Sequence, residues 1–208
     1  TIRFIKKQSV PLVILDRRIA EANVDTVRCD SEGGAFQIAQ LLISLGHRRI
    51  GVLSGPARVS TAVDRVSGYR KALREAGIAV DEQLIRYGEF TLESGYEMAK
   101  LVMANEKKPT ALFAGNNFIA IGALKALHDL SLRVPEDIAV AGFDDLPVSL
   151  IVEPFLTAAA QPAYEMGLQA TRLIIDRLKG KETSESKEIL LPVELIVRKS
   201  SGKPIPVR

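Results

Sequence analysis

Cysteine occurs once in these 208 residues, as Cys29, so no internal disulfide can form and no cysteine-rich metal site can be assembled. The chain makes no use of an oxidising compartment, and a cytoplasmic location is expected. No apolar stretch approaches the roughly 18 residues that a membrane span requires, and residues 1–7 do not read as a signal peptide. Charge of one sign is not concentrated either. With 28 Lys and Arg against 25 Asp and Glu, the net charge of +3 leaves no basic block able to track a phosphate backbone. Only the tail, with Arg198, Lys199, Lys203 and Arg208, is locally basic, and it reads as a solvated terminus without a function. Histidine is limited to His47 and His128. His47 follows Gly46 at a helix end, where a cation complements the helix dipole, and is read as a cap and not as a base.

Enzyme signatures are missing as well. There is no Gly-x-Gly-x-x-Gly, no phosphate loop and no Gly-x-Ser-x-Gly elbow. Asp144 and Asp145 are adjacent carboxylates without a third nearby ligand, so neither a metal nor a cofactor is expected. Cys29 is read as a small buried hydrophobe. No internal repeat or low-complexity segment stands out, although residues 180–187 form a polar link.

What is present is a core-forming chain, 47% hydrophobic, long enough for one large domain or two small ones. Short aliphatic runs recur at residues 10–15, 50–53, 84–87, 110–114 and 138–143. Their continuous hydrophobicity suits parallel strands covered on both faces. Amphipathic segments lie between them. One is capped by Asp30 or Ser31 and stops at Gly46; others span residues 61–76, begin near Thr91, span 118–130, and run from Pro162 to Gly180. This alternation predicts an α/β fold with doubly wound parallel sheets. A last apolar run, residues 189–197, is expected to pair at a sheet edge.

Ligands of open α/β sheets bind beyond the carboxyl ends of the strands. Those ends are strongly polar here: Asp16-Arg17, Asn116-Asn117 and Asp144-Asp145 each follow an aliphatic run, and Gly88-Glu89-Phe90 follows another. Carboxylates, a carboxamide and a guanidinium match vicinal hydroxyls, and an aromatic ring covers the apolar face of a pyranose or a base. The same Asp and Asn residues also suit turns and helix caps, which is the competing structural explanation.

The segments Leu45-Gly46-His47-Arg48-Arg49-Ile50, Pro109-Thr110-Ala111-Leu112-Phe113 and Arg133-Val134-Pro135-Glu136-Asp137-Ile138-Ala139-Val140-Ala141-Gly142-Phe143-Asp144-Asp145 resemble the LacI/GalR transcription regulators, as do Pro154-Phe155-Leu156-Thr157, Gln161-Pro162 and Glu165-Met166-Gly167. The resemblance implies a two-lobed core similar to periplasmic sugar-binding proteins, preceded in the family by a helix-turn-helix headpiece that reads operator DNA. It puts a small effector, a sugar or similar polar ligand, on Asp16, Arg65, Asn116 and Asp144, with Phe90 where an aromatic stacks. Asn117 departs from the family's usual Asn-Asp pair, and Ala163 is small where relatives place a bulkier contact.

On this resemblance the chain is expected to lack the headpiece and part of the first lobe. Residues 1–48 and 161–187 would be the remnant of that lobe, and residues 49–160 and 188–208 the second. A homodimer is expected through the helix bearing Ile119, Leu124 and Leu127 and through residues 146–152. The strand at residues 10–15 is expected to expose an edge, to pair with another copy or be poorly ordered, and to leave effector affinity reduced. A periplasmic-type sugar-binding protein is the alternative. A sugar-modifying enzyme would need a positioned general base or a metal set, and neither is visible.

Overall fold

A computed structural model describes residues 2–8, 10–19, 23–146, 154–180 and 185–203. The chain divides into two compact units, residues 1–30 with 161–193 and residues 31–160 with 194–208. The expected boundary near residue 48 therefore moves to Asp30, and residues 188–193 join the first unit.

In the first unit, β1 (Val13–Leu15), β2 (Asp25–Cys29) and β8 (Glu188–Leu191) form a parallel sheet in the order β1-β2-β8. A short helix, α1 (Ile2–Lys7), precedes it, and α6 (Ala163–Leu178) packs on β1 and β2. On α6 the buried positions Met166, Ala170 and Leu173 recur at helical spacing, giving one inward stripe. β2 alternates strictly, burying Asp25, Val27 and Cys29. Asp25 is tolerated inside because the Arg177 guanidinium forks onto both its oxygens at 2.7 Å and the Lys187 amide donates to it at 2.8 Å. Arg177 thereby holds the Asp25 carboxyl below its ordinary range. The Cys29 thiol is buried, as its composition suggests, and donates to Gln161 Oε1 at 3.1 Å. β1 is a terminal strand of this sheet, with Val10 and Leu15 about half exposed.

The second unit carries a six-stranded sheet. Its strands are β3 (Ile50–Ser54), β4 (Ile85–Tyr87), β5 (Ala111–Ala114), β6 (Ala139–Phe143), β7 (Thr157–Ala160) and β9 (Glu194–Ile196), in the order β4-β3-β5-β6-β7-β9. All pairings are parallel except that of β7 with β9. The helices are α2 (Ser31–Ser44), α3 (Ser60–Glu75), α4 (Leu92–Met103) and α5 (Asn117–Asp129), which pack as two pairs, α2 with α3 and α4 with α5. Every residue of β3, β5 and β6 is buried, as their continuous aliphatic character requires. α2 belongs to this unit because its buried Ala35, Ile38, Ala39 and Leu42 pack with α3 and the sheet. The last apolar run is broken at Pro192 into two strands, β8 in one sheet and β9 in the other, and is not a single edge strand.

Two residue roles differ from expectation. On α5, Ile119 and Leu127 are fully buried in their own core, so these two side chains are not free to pair with a second copy, while Leu124 is partly buried against the same core. Of the other proposed dimer segment, Val148, Leu150, Ile151 and Val152 lie outside the described residues. The turn after α2 is closed by the backbone, Gly46 N–H donating to Ile43 O and His47 N–H to Leu42 O. The His47 ring is not a capping cation. It is 6% exposed, shares a 2.9 Å hydrogen bond between Nδ1 and Thr110 Oγ1, and is held below its ordinary pKa of 6.5 by burial.

That burial makes a measurable expectation. The unfolded chain protonates His47 more readily than the folded one, so this contribution to stability is complete above pH 6.5 and is lost as pH falls toward the depressed folded value. The melting temperature should therefore fall between pH 6.5 and the carboxylate range. The slope should flatten in a His47→Gln variant; an unchanged slope would assign it to other groups.

Candidate functional site

In the order β4-β3-β5-β6, the chain leaves β3 in one direction to reach β4 and returns past it to β5. The crevice beyond the carboxyl ends of β3 and β5 is the switch point where open α/β sheets bind ligands. Four of the five predicted site residues converge there.

Arg65 lies on the second turn of α3 and is 3% exposed. Its Nη1 donates to the Gly115 carbonyl at 2.6 Å, and its guanidinium lies 3.8 Å from the centroid of the Phe143 ring. A buried arginine is held here by a carbonyl and an aromatic face, with Nε making no hydrogen bond. Asp144 follows β6 directly, with φ +64°, its amide donating to Ala159 O at 3.0 Å. Its Oδ2 stands 3.8 Å from Arg65 Nη1, an ion pair too long for a direct hydrogen bond.

Asn116 follows Gly115 and is 8% exposed. Its Oδ1 accepts from the Ile119 amide at 2.9 Å, capping α5. The capping explanation is thus correct for this oxygen, while the amide N–H groups are left for another partner. Phe90, partly buried against the core, reaches the same edge through Gly55: a Cβ added at Gly55 would stand 2.1 Å from Phe90 Cζ, so only glycine lets the ring lie over the end of β3.

Asp16 occupies the equivalent place in the first unit, after β1, with φ +70° and its amide donating to Val27 O at 2.9 Å. It belongs to the unit that does not contain the other four.

Several contributors were not legible as site residues. Phe143 and Gly115 were seen only as strand ends, yet they anchor Arg65. Asp145 pairs with Arg198, whose Nη1 and Nη2 donate to its two oxygens at 2.6 and 2.8 Å. Arg198 lowers the Asp145 carboxyl pKa, and Asp145 raises that of the guanidinium. The tail is therefore not merely solvated: Arg198 is largely buried and Ser200 and Ser201 wholly so, while Lys199 and Lys203 are exposed and Arg208 lies outside the described residues. Asn117 Nδ2 donates to the Asp145 carbonyl at 3.2 Å, which is how its departure from the Asn-Asp pair is used. Among the described residues no group of three or more His, Cys, Asp or Glu is placed to hold a metal ion. Nor is any helix among them long and apolar enough to cross a membrane.

Residues 39–201 match the periplasmic binding protein-like domain family. The chain is 38% identical over 200 residues to the HTH-type transcriptional regulator CelR of Thermobifida fusca, covering 95% of this chain and 58% of that protein. It superposes on the structure of a CelR–cellobiose complex with a TM-score of 0.89, covering 95% of this chain and 61% of the other at 38% identity. A LacI family regulator from Enterococcus faecium with bound ribose superposes with a TM-score of 0.86 at 30% identity, covering 97% of this chain and 74% of the other. The chain thus spans a little over half the length of the Thermobifida fusca regulator.

Proposed function

Because this chain belongs to the LacI/GalR family of transcription regulators, within its periplasmic-binding-protein-like core, we propose that it senses a small sugar or similar polyol and so controls operator binding by a helix-turn-helix headpiece. The observation that carries the reading is the pairing of Arg65 with Asp144. A buried guanidinium fixed by Gly115 and Phe143 faces a carboxylate across 3.8 Å. Donor and acceptor at that separation grip neighbouring hydroxyls of one ring, the first accepting from Arg65 and the second donating to Asp144. Asn116 adds an amide donor, and Phe90 offers its ring to an apolar sugar face. Binding without turnover is the role assigned. The regulator relatives favour it over a free-standing sugar-binding protein, and a cytoplasmic site of action follows from the DNA partner. The protein is further proposed to act as a homodimer.

The test is a melting screen with cellobiose, ribose, phosphosugars and purines. A ligand at 100 times its Kd adds about 2.7 kcal/mol of stability, worth roughly 5–10 °C for a chain of this length. A shift with a sugar that disappears in Asp144→Ala supports the reading. A shift produced only by purines would replace the ligand class, and a sugar shift retained in full by Asp144→Ala would remove the site.

A further inference from the structure

Asp144 has a left-handed backbone, with φ +64°, in a residue that carries a side chain. Such a conformation is uncommon outside glycine, although aspartate adopts it more readily than most residues, and here the surroundings that hold it are built on the next residue. Asp145 is held at three points: Arg198 forks onto both carboxylate oxygens at 2.6 and 2.8 Å, Asn117 Nδ2 reaches its carbonyl at 3.2 Å, and its own Oδ1 accepts the Leu146 amide at 2.8 Å.

Arg198 is itself rigidly mounted. Its Nη1 also donates to Leu156 O at 2.7 Å, its amide donates to Thr157 Oγ1 at 2.8 Å, and its carbonyl accepts from Thr157 Oγ1 at 3.0 Å and from Ser201 Oγ at 3.2 Å. The adjoining Ser200 Oγ donates to Val140 O at 2.6 Å, which ties the same segment to β6, the strand that delivers Asp144. A planar fork on a carboxylate fixes direction as well as distance.

We propose that Arg198 is a positioning residue of the effector site: by clamping Asp145 it holds Asp144 in the left-handed turn that presents its carboxylate to Arg65. This rests on the reading of Asp144 and Arg65 as effector-binding residues. The two neighbouring aspartates divide the work, Asp145 spent on the clamp and Asp144 turned to the ligand, and the site depends on a segment more than fifty residues further along the chain.

Amide hydrogen exchange on the full chain tests this without a ligand. The Asp144 amide, bonded to Ala159 O, reports the turn; the Gly115 amide on Leu53 O and the Gly88 amide on Ser54 O report the rest of the same sheet edge. Arg198→Met should speed exchange at Asp144 at least tenfold and leave Gly115 and Gly88 unchanged. Arg198→Lys, which keeps the charge without the fork, should fall between. If Arg198→Met does not fold, Asp145→Asn takes its place, with the same selective rise expected. An unchanged rate at Asp144, or an equal rise at all three amides, overturns the clamp. Titration with cellobiose separates this from the site reading: equal binding to the wild-type chain and to Asp144→Ala counts against the site and not against the clamp.

Discussion

Replacing Arg65 by methionine should weaken effector binding at least a hundredfold while leaving the chain folded. A charge-assisted hydrogen bond contributes about 1.5–3 kcal/mol, and the substitution also removes the cation facing Asp144, so roughly 3 kcal/mol is expected, each 1.4 kcal/mol being tenfold in affinity. Methionine keeps an unbranched, polarizable side chain against the Phe143 ring that now carries the guanidinium. The cost to stability is confined mainly to the Gly115 carbonyl, which loses the donor at 2.6 Å. Arg65→Lys should also bind poorly, because a lysine ammonium neither stacks flat on Phe143 nor offers a fork. Calorimetry with the sugar found in the melting screen, run on wild type and both variants, measures this. An unaltered Kd in Arg65→Met would mean that the buried arginine is a structural post and that recognition lies elsewhere.

Gly122→Val should strongly destabilise the second unit. A Cβ at Gly122 would stand 2.0 Å from the Leu92 carbonyl oxygen and 2.7 Å from the Tyr96 nitrogen. Both are backbone atoms of α4, so no side-chain rotation relieves the clash and the α4–α5 pair must separate. The core beneath that pair includes Met98, Ala99, Val102, Ile119, Ala123 and Leu127, whose packing would open together. Overpacking costs about 1–3 kcal/mol where side chains yield; here the upper end or more is expected, lowering the melting temperature by roughly 6–12 °C. Thermal unfolding followed by circular dichroism checks it, and a loss below about 1 kcal/mol would mean that the helices part more easily than their close approach implies.

The parallel strands β3, β5 and β6 were readable because a strand covered on both faces has to be aliphatic throughout, and that property sits within a few neighbouring residues. The helix ends were readable for the same reason, as with Thr91, whose hydroxyl accepts the Ser94 amide at 3.2 Å. β2 escaped notice because Asp25 and Arg28 interrupt it. Asp25 is acceptable inside a sheet only through Arg177, and nothing near Asp25 in the chain announces that partner. β7 escaped for a different reason: three of its four residues are alanine, which has little strand preference, and they form a strand because β6 and β9 flank them.

The candidate site divides along the same line. Polar residues at the strand ends and the family resemblance were enough to name Arg65, Phe90, Asn116 and Asp144 as candidates. By itself the sequence determined the α/β alternation, the polar strand ends and the family, since each is written in short windows of residue type. The tertiary structure alone decided that α2 joins the second unit, that one apolar run serves two sheets, that His47 is a buried neutral ring, and that Arg198 belongs to Asp145. Those outcomes depend on which distant groups reach each other once the strands are in register. A buried charge or ring is stable only with such a partner, and the identity of that partner is a property of the folded chain.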